Sequence, residues 1–117
     1  MGKVAFICNG CENENIYPAF VLASAAVASG DDVTIFFTPP AVPALKPGYL
    51  ESMTGKGMPD MCDLLEGVMA LGGRMMLCEL GLEAFEVTAE DLRDDIDIGG
   101  ATSFMASIQD AKTTFSF

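Results

Sequence analysis

The sequence predicts a three-layer α/β fold, in which a mostly parallel sheet of about five strands carries helices on both faces. Short apolar segments rich in β-branched and aromatic residues alternate with longer helical patterns along the chain. Strands joined through crossover helices pair in parallel, so this alternation indicates a parallel sheet. The 117 residues suffice for one hydrophobic core, and we expect a single domain over residues 1–117.

The first part of the chain predicts a β-α-β unit. Residues 3–8 form a continuous apolar run, which is typical of a strand buried on both faces. The segment from Ile16 to Ser29 predicts a helix with Pro18 in its first turn and Gly30 just past its end. Val33 to Phe37 predicts the second strand, which two consecutive prolines end.

The segment from Thr38 to Pro59 is rich in proline and glycine and cannot be one regular element. We expect a functional or interface loop here, with a mobile part at Gly55-Lys56-Gly57. That glycine pair is not a phosphate-binding loop, because it lacks both the preceding strand and the Lys-Ser or Lys-Thr ending.

The second half predicts a helix that opens at Pro59-Asp60-Met61-Cys62 and ends at Gly72-Gly73, followed by a third strand from Arg74 to Cys78. The remaining predicted elements are a short helix at Leu80–Phe85, a capped turn at Thr88–Asp91, a strand at Asp95–Ile98, a helix at Gly100–Gln109 and a last strand at Thr113–Phe117.

Charge and hydropathy exclude several classes of partner. The net charge of −11 repels phosphate backbones and anionic lipids, so neither nucleic acid nor a membrane is expected as a partner. No apolar run approaches the ~20 residues of a transmembrane helix, and the amino terminus does not resemble a signal peptide, so we expect a cytoplasmic protein. The hydrophobic fraction of 50% and mean hydropathy of +0.36 favour a homo-oligomer with an apolar interface.

Cys78 is the strongest candidate for a catalytic residue. The chain contains no histidine, which excludes Ser-His and Cys-His catalysis and histidine ligation of a metal. Cys78 ends the third predicted strand, and parallel sheets place their chemistry at the carboxyl ends of strands. The alternative is that Cys78 is a small buried hydrophobic residue, since free cysteine is among the most buried residue types.

Cys8 and Cys11 form a C-x-x-C motif at the end of the first strand, and several interpretations stay open. A redox pair is disfavoured because the predicted helix begins about five residues after Cys11. A zinc site would need Cys62 and Cys78 as further ligands, and Cys62 with nearby methionines could instead bind a soft metal. The motif could also supply an accessory thiol to Cys78, or Cys8 could simply pack in the core. We expect no bound metal and no cofactor.

The residues around Cys78 resemble the DsrE/DsrF-like family of sulfur-transfer proteins. The resemblance covers most of the chain and is most specific at Leu71-Gly-Gly-Arg-Met-Met-Leu-Cys78. It continues through Val87-Thr-Ala-Glu-Asp-Leu92 and ends at Ile98-Gly-Gly-Ala-Thr-Ser-Phe104. It implies a sulfur carrier or sulfurtransferase-like protein in which Cys78 accepts and passes on a persulfide sulfur.

The same resemblance implies trimers or hexamers, together with sulfur donor and acceptor proteins as partners. A second hypothesis is a non-enzymatic module of the same fold that binds a small ligand or a partner through Thr38 to Pro59. The reactivity of the Cys78 thiol distinguishes the two hypotheses.

Overall fold

The computed structural model describes residues 2–117, whose strands form one five-stranded sheet with the order β4-β3-β2-β1-β5. Every pair of neighbouring strands is parallel, which confirms the predicted α/β class. The strands are β1 Lys3–Cys8, β2 Asp32–Phe37, β3 Arg74–Cys78, β4 Asp97–Gly99 and β5 Thr113–Ser116. The α-helices are α1 Asn13–Ala28, α2 Met61–Ala70, α3 Leu80–Ala84 and α4 Ala101–Ser107, and 3₁₀ turns lie at Pro39–Leu45, Leu50–Ser52 and Ala89–Asp91.

The strand order explains why helices cover both faces. From β1 to β3 the chain moves across the sheet in one direction, so right-handed crossovers place α1 and α2 on the same face. Between β4 and β5 the chain returns past β1, and this reversal places α4 on the opposite face. Helices therefore cover both faces because the path of the chain across the sheet changes direction once, between β4 and β5.

Strand alternation divides the buried side chains into two groups. The main core lies between the sheet and the pair α1 and α2, and from the strands it receives residues such as Phe6, Ile35 and Leu77. On the other face lies a smaller group, here called the second cluster. It consists of Ala5, Phe36, Met76, Cys78 and Phe104.

Helix α1 begins at Asn13, so the predicted start at Ile16 is wrong. The backbone N–H of Glu12 donates a hydrogen bond to Asn15 Oδ1 at 3.1 Å, which stabilises the earlier first turn. Pro18 consequently lies inside the helix rather than in its first turn. The predicted end is nearly right, since Gly30 adopts a φ of 89° just beyond it.

The segment from Thr38 to Pro59 packs against the molecule over most of its length. Leu45 and Leu50 are completely buried in the main core. The hydroxyl of Tyr49 donates to the carbonyl oxygen of Cys11 at 2.8 Å, and the hydroxyl of Tyr17 donates to the carbonyl oxygen of Met53 at 3.0 Å. Residues 46–48, 51–52 and most of 54–59 lie at the surface, so buried and exposed parts alternate along the segment.

The second half follows the predicted order of elements, with boundaries shifted by about one or two residues. The predicted strand at Asp95–Ile98 occupies Asp97–Gly99. The capped turn is confirmed, because the backbone N–H of Thr88 donates to Asp91 Oδ2 at 2.9 Å. Among residues 2–117, no helix combines the length and the hydrophobicity that crossing a membrane would require.

Candidate functional site

The cysteine that the sequence singles out lies at the carboxyl edge of the sheet, on β3. Cys78 is the register partner of Gly99 on the edge strand β4. The next backbone N–H, that of Glu79, donates to the carbonyl oxygen of Gly99 at 3.0 Å. The backbone on both sides of Cys78 is therefore fixed by pairing with β4.

The side chain of Cys78 is buried in the second cluster, with 4% of the residue exposed, as the alternative of a small buried hydrophobic residue predicts. The rings of Phe36 and Phe104 stack in the same cluster with centroids 4.2 Å apart and planes 12° apart. Phe104 belongs to α4, so this helix covers the face of the sheet on which the thiol lies. In this closed arrangement a protein partner cannot reach the sulfur.

An acidic group lies at the point where β4 passes into α4. Oε1 of Glu79 lies 3.1 Å from the position that a Cβ atom on Gly100 would occupy. Gly100 is the N-cap residue of α4, so the carboxylate lies close to the start of this helix. A side chain at position 100 would displace that carboxylate.

Cys8 is separated from Cys78 by the sheet itself. Cys8 packs in the main core, whereas Cys78 packs in the second cluster on the opposite face. The two cysteines also lie on strands separated by β2, which places their backbones about 10 Å apart across the sheet. The expectation of an accessory thiol next to Cys78 is therefore not met by Cys8.

The chemistry of Cys8 is further limited by its environment. The residue is completely buried, and burial raises the pKa of its thiol to about 12. A thiol with such a pKa stays protonated at neutral pH and is a poor nucleophile. Cys8 is thus a core residue, as the simplest of the open interpretations has it.

Cys11 lies much closer to a helix than the sequence indicated. The helix α1 begins at Asn13, two positions after Cys11, so the predicted distance of about five residues between Cys11 and the helix is wrong. Cys11 is partly buried against the main core, and its carbonyl oxygen accepts the hydrogen bond from Tyr49. The burial of Cys8, rather than the start of the helix, is what disfavours a reactive Cys8–Cys11 pair.

Cys62 is the exposed cysteine, and it lies in the first turn of α2. Its backbone N–H donates to Asp60 Oδ1 at 2.8 Å, and its sulfur lies 3.6 Å from the carbonyl oxygen of Glu51. Desolvation raises the pKa of this thiol, and the carboxylates of Asp60 and Glu51 raise it further. In the part of the chain that the structure describes, no group of three or more Cys, Asp or Glu side chains is placed to bind a metal ion, so no four-cysteine zinc site is assembled there.

An apolar groove of about 500 Å³ lies between α1 and the surface part of the proline- and glycine-rich segment. Asn13 fixes this segment, because its Nδ2 donates to the carbonyl oxygen of Thr54 at 2.8 Å. Sequence reasoning missed the groove, since its two walls are about forty residues apart in the chain. The lining residues are Asn13, Glu14, Tyr17, Pro18, Val21, Leu22, Gly55, Lys56 and Met58.

The comparison with protein families agrees with the resemblance read from the residues. The model of the DsrE/DsrF-like family matches residues 2–117. This chain belongs to the DsrE/DsrF-like family. A curated relative is the uncharacterized protein MJ0760 of Methanocaldococcus jannaschii, which is 24% identical over 92 residues. That match covers 79% of this chain but 34% of the relative, so the chain spans about a third of the relative's length.

Solved structures show the same fold. The ychN protein from E. coli superposes with a TM-score of 0.78 at 23% identity, with each chain covered over its full length. The protein MTH1491 from Methanobacterium thermoautotrophicum, whose function is unknown, has a TM-score of 0.70 at 13% identity, and the match covers 93% of this chain and 92% of that one. The protein BT1422 from Bacteroides thetaiotaomicron, also of unknown function, has a TM-score of 0.65 at 12% identity, and the match covers 97% of this chain and 94% of that one. These similarities establish the DsrE-like architecture.

Proposed function

We propose that this DsrE/DsrF-like protein is a sulfur carrier or sulfurtransferase-like protein that holds a persulfide on Cys78. The observation that carries the proposal is the placement of Cys78 at the carboxyl end of β3, beside Gly99, in a chain that belongs to this family. Two of the other three cysteines support it by elimination. Cys8 is sealed in the main core, and Cys62 lies in an acidic surface environment that disfavours its thiolate.

The proposed reaction needs no oxidant. The Cys78 thiolate attacks the outer sulfur of a donor persulfide, R–S–SH. The sulfur–sulfur bond of the donor breaks, its electron pair leaves with the donor as the thiolate R–S⁻, and a new sulfur–sulfur bond forms to Cys78. The proton stays on the transferred sulfur, so the product is Cys78–S–SH. An acceptor thiolate then repeats the same exchange and regenerates Cys78.

Because Cys78 is buried, the proposed function requires the molecule to open around it. The thiol is covered by α4, so both exchanges need an open arrangement in which the sulfur reaches donor and acceptor. Apolar cover between transfers suits the chemistry, because it keeps water and stray thiols away from the bound sulfur. The proposal therefore joins a carrier role to motion of this helix.

We further propose that the protein forms a homo-oligomer, a trimer or hexamer, and meets sulfur donor and acceptor proteins. Several large apolar side chains lie at the surface of the isolated chain, among them Leu71 at 62% and Leu80 at 66% exposed. Leu71 follows α2, and Leu80 begins α3 directly after β3. Burial of such side chains in an interface supplies the driving force for association.

The mass of the protein after loading with a small persulfide tests the carrier function. In a Cys62→Ser background, which removes the exposed thiol, we expect an adduct of about 32 Da, the mass of one sulfur atom. The adduct should disappear when Cys78→Ser is added and when the loaded protein meets an excess of acceptor thiol. An adduct that persists in the doubly substituted chain contradicts the role of Cys78.

A second candidate function rests on the apolar groove between α1 and residues 55–58. Its volume of about 500 Å³ is within the range of sites for small ligands, and its lining is mainly apolar, with one cation from Lys56 and one carboxylate from Glu14. This arrangement favours a small, mainly apolar ligand, bound without any reaction at Cys78. The probe anilinonaphthalene sulfonate should bind the native protein and lose affinity in Val21→Asp. Phe85→Asp, which also replaces a partly exposed apolar side chain but lies outside the groove, should leave the affinity unchanged.

A further inference from the structure

We propose that α4 is a lid over Cys78, held closed chiefly by Phe104, and that opening of this lid controls access to the thiol. The lid depends only on how α4 packs against the sheet, whereas its role as the gate for sulfur transfer rests on the proposed function. The two parts can therefore fail separately.

Two apolar side chains attach the lid to the second cluster: the buried Phe104 within α4, and Ile108, which is partly buried directly after the helix. Phe104 is the buried residue of α4 and is 3% exposed, while Met105 beside it is 60% exposed. Phe104 stacks on Phe36 of β2 and lies in the same cluster as Cys78. A seven-residue helix is too short to be stable without such an anchor. Loss of the stack should therefore release the helix.

The two ends of α4 differ in how they are held. At the carboxyl end, Lys3 Nζ donates to the carbonyl oxygen of Ser107 at 2.7 Å and also pairs with Asp110 at 2.9 Å. At the amino end the helix follows two glycines, and Gly99 is held by β3 through its carbonyl oxygen. Gly100 is thus the residue between a fixed strand and the helix, and glycine absorbs changes in φ and ψ at low cost.

The second cluster is also the weaker of the two apolar regions. It contains five buried residues and is covered by α4, whereas the main core is covered by the long helix α1 together with α2. Regions with few buried contacts open locally at a lower free energy than the global unfolding of the molecule. Local opening of the second cluster is therefore enough to expose Cys78, whereas Cys8 becomes exposed only when the main core unfolds.

This difference provides an internal control for the experiment. Cys78 and Cys8 are both buried, but lid opening exposes Cys78 alone, whereas global unfolding exposes both. We would label the native protein with N-ethylmaleimide at increasing urea below the unfolding transition, and resolve the two sites by peptide mass spectrometry. Cys78 should react on the order of tenfold or more faster than Cys8, with a rate that depends only weakly on urea.

Substitutions of Phe104 test whether this side chain holds α4 in the closed position. Phe104→Ala should raise the labelling rate of Cys78 by about ten- to a hundredfold and Phe104→Leu by less, because leucine restores part of the buried area. Val68→Ala, in the main core, should not raise the Cys78 rate in the absence of urea. Equal rates and equal urea dependence at Cys78 and Cys8 in the unsubstituted protein would overturn the lid. Should Phe104→Ala not fold, that comparison in the unsubstituted protein remains decisive.

Persulfide loading separates the lid from the proposed function. If Phe104→Ala speeds alkylation of Cys78 but no loading of one sulfur atom occurs in either protein, the lid stands and the carrier role fails. If loading occurs on Cys78 while alkylation of Cys78 and Cys8 proceeds only through global unfolding, the carrier role stands and the lid fails.

Discussion

Alkaline pH should destabilise the folded protein through Cys8. Burial raises the pKa of this thiol from 9.0 to about 12, so the folded state keeps it protonated where the unfolded chain ionises it. The contribution is fully present below about pH 9 and is lost as the pH rises toward the folded-state pKa. Each pH unit in that window lowers the free energy of unfolding by about 1.4 kcal/mol. Between about pH 8 and pH 11 the loss amounts to roughly 3 kcal/mol.

The assay compares urea unfolding of the unsubstituted protein and Cys8→Ala at the two pH values. Contributions of all other groups are present in both proteins and cancel in the difference. Near pH 8 Cys8→Ala should be less stable by about 1–2 kcal/mol, because it removes a buried sulfur. Near pH 11 the difference should have changed by the roughly 3 kcal/mol derived above, so that Cys8→Ala becomes the more stable protein by about 1–2 kcal/mol.

A stability difference that stays the same at the two pH values would refute this reasoning. It would mean that the Cys8 thiol ionises in the folded state at nearly the same pH as in the unfolded chain. Cys8 would then be accessible to water, and Cys8 and Cys11 would again be candidates for a reactive pair. The experiment therefore decides whether Cys8 belongs to the core or to a second reactive site.

Two further pairs of substitutions test the ion pairs and the close backbone contacts of the fold. Arg93→Ala should cost about 1–3 kcal/mol in urea unfolding, because its side chain is 11% exposed and lies in two ion pairs. Arg74→Ala, which breaks a pair whose side chains are more than half exposed, should cost less than about 1 kcal/mol. Gly81→Ala should lower the melting temperature, because its Cβ would collide with Val42. Gly67→Ala in α2 meets only ordinary contacts and should raise the melting temperature slightly.

The sequence was sufficient for the fold because hydrophobic periodicity and glycine positions are local signals. The strand that ends at Cys78 is predicted to the residue, since its apolar run is bounded by a glycine pair and a glutamate. The start of α1 was missed because Asn13 and Asn15 are poor helix formers by propensity. Reciprocal capping between Glu12 and Asn15 outweighs that propensity.

The candidate site was harder to predict, because it depends on which face of the sheet a side chain occupies. Cys8 and Cys78 both end strands at the same edge, and the sequence alone made them neighbours. The register shows that Cys8 aligns with Phe37, and Phe37 aligns with Leu77, so Cys78 is one residue further along and points to the other face. A shift of one residue thus separates a thiol in the main core from a thiol under α4.

The order of the strands explains why Cys78 is covered at all. Because β5 lies beyond β1 while β4 lies at the opposite edge, the connection between them must cross the whole face that Cys78 occupies. The end of this connection that leads into β5 is fixed, because the backbone N–H of Lys112 donates to the carbonyl oxygen of Lys3 at 2.9 Å. In the proposed lid, motion is therefore confined to α4 and the residues next to it, while all five strands stay paired.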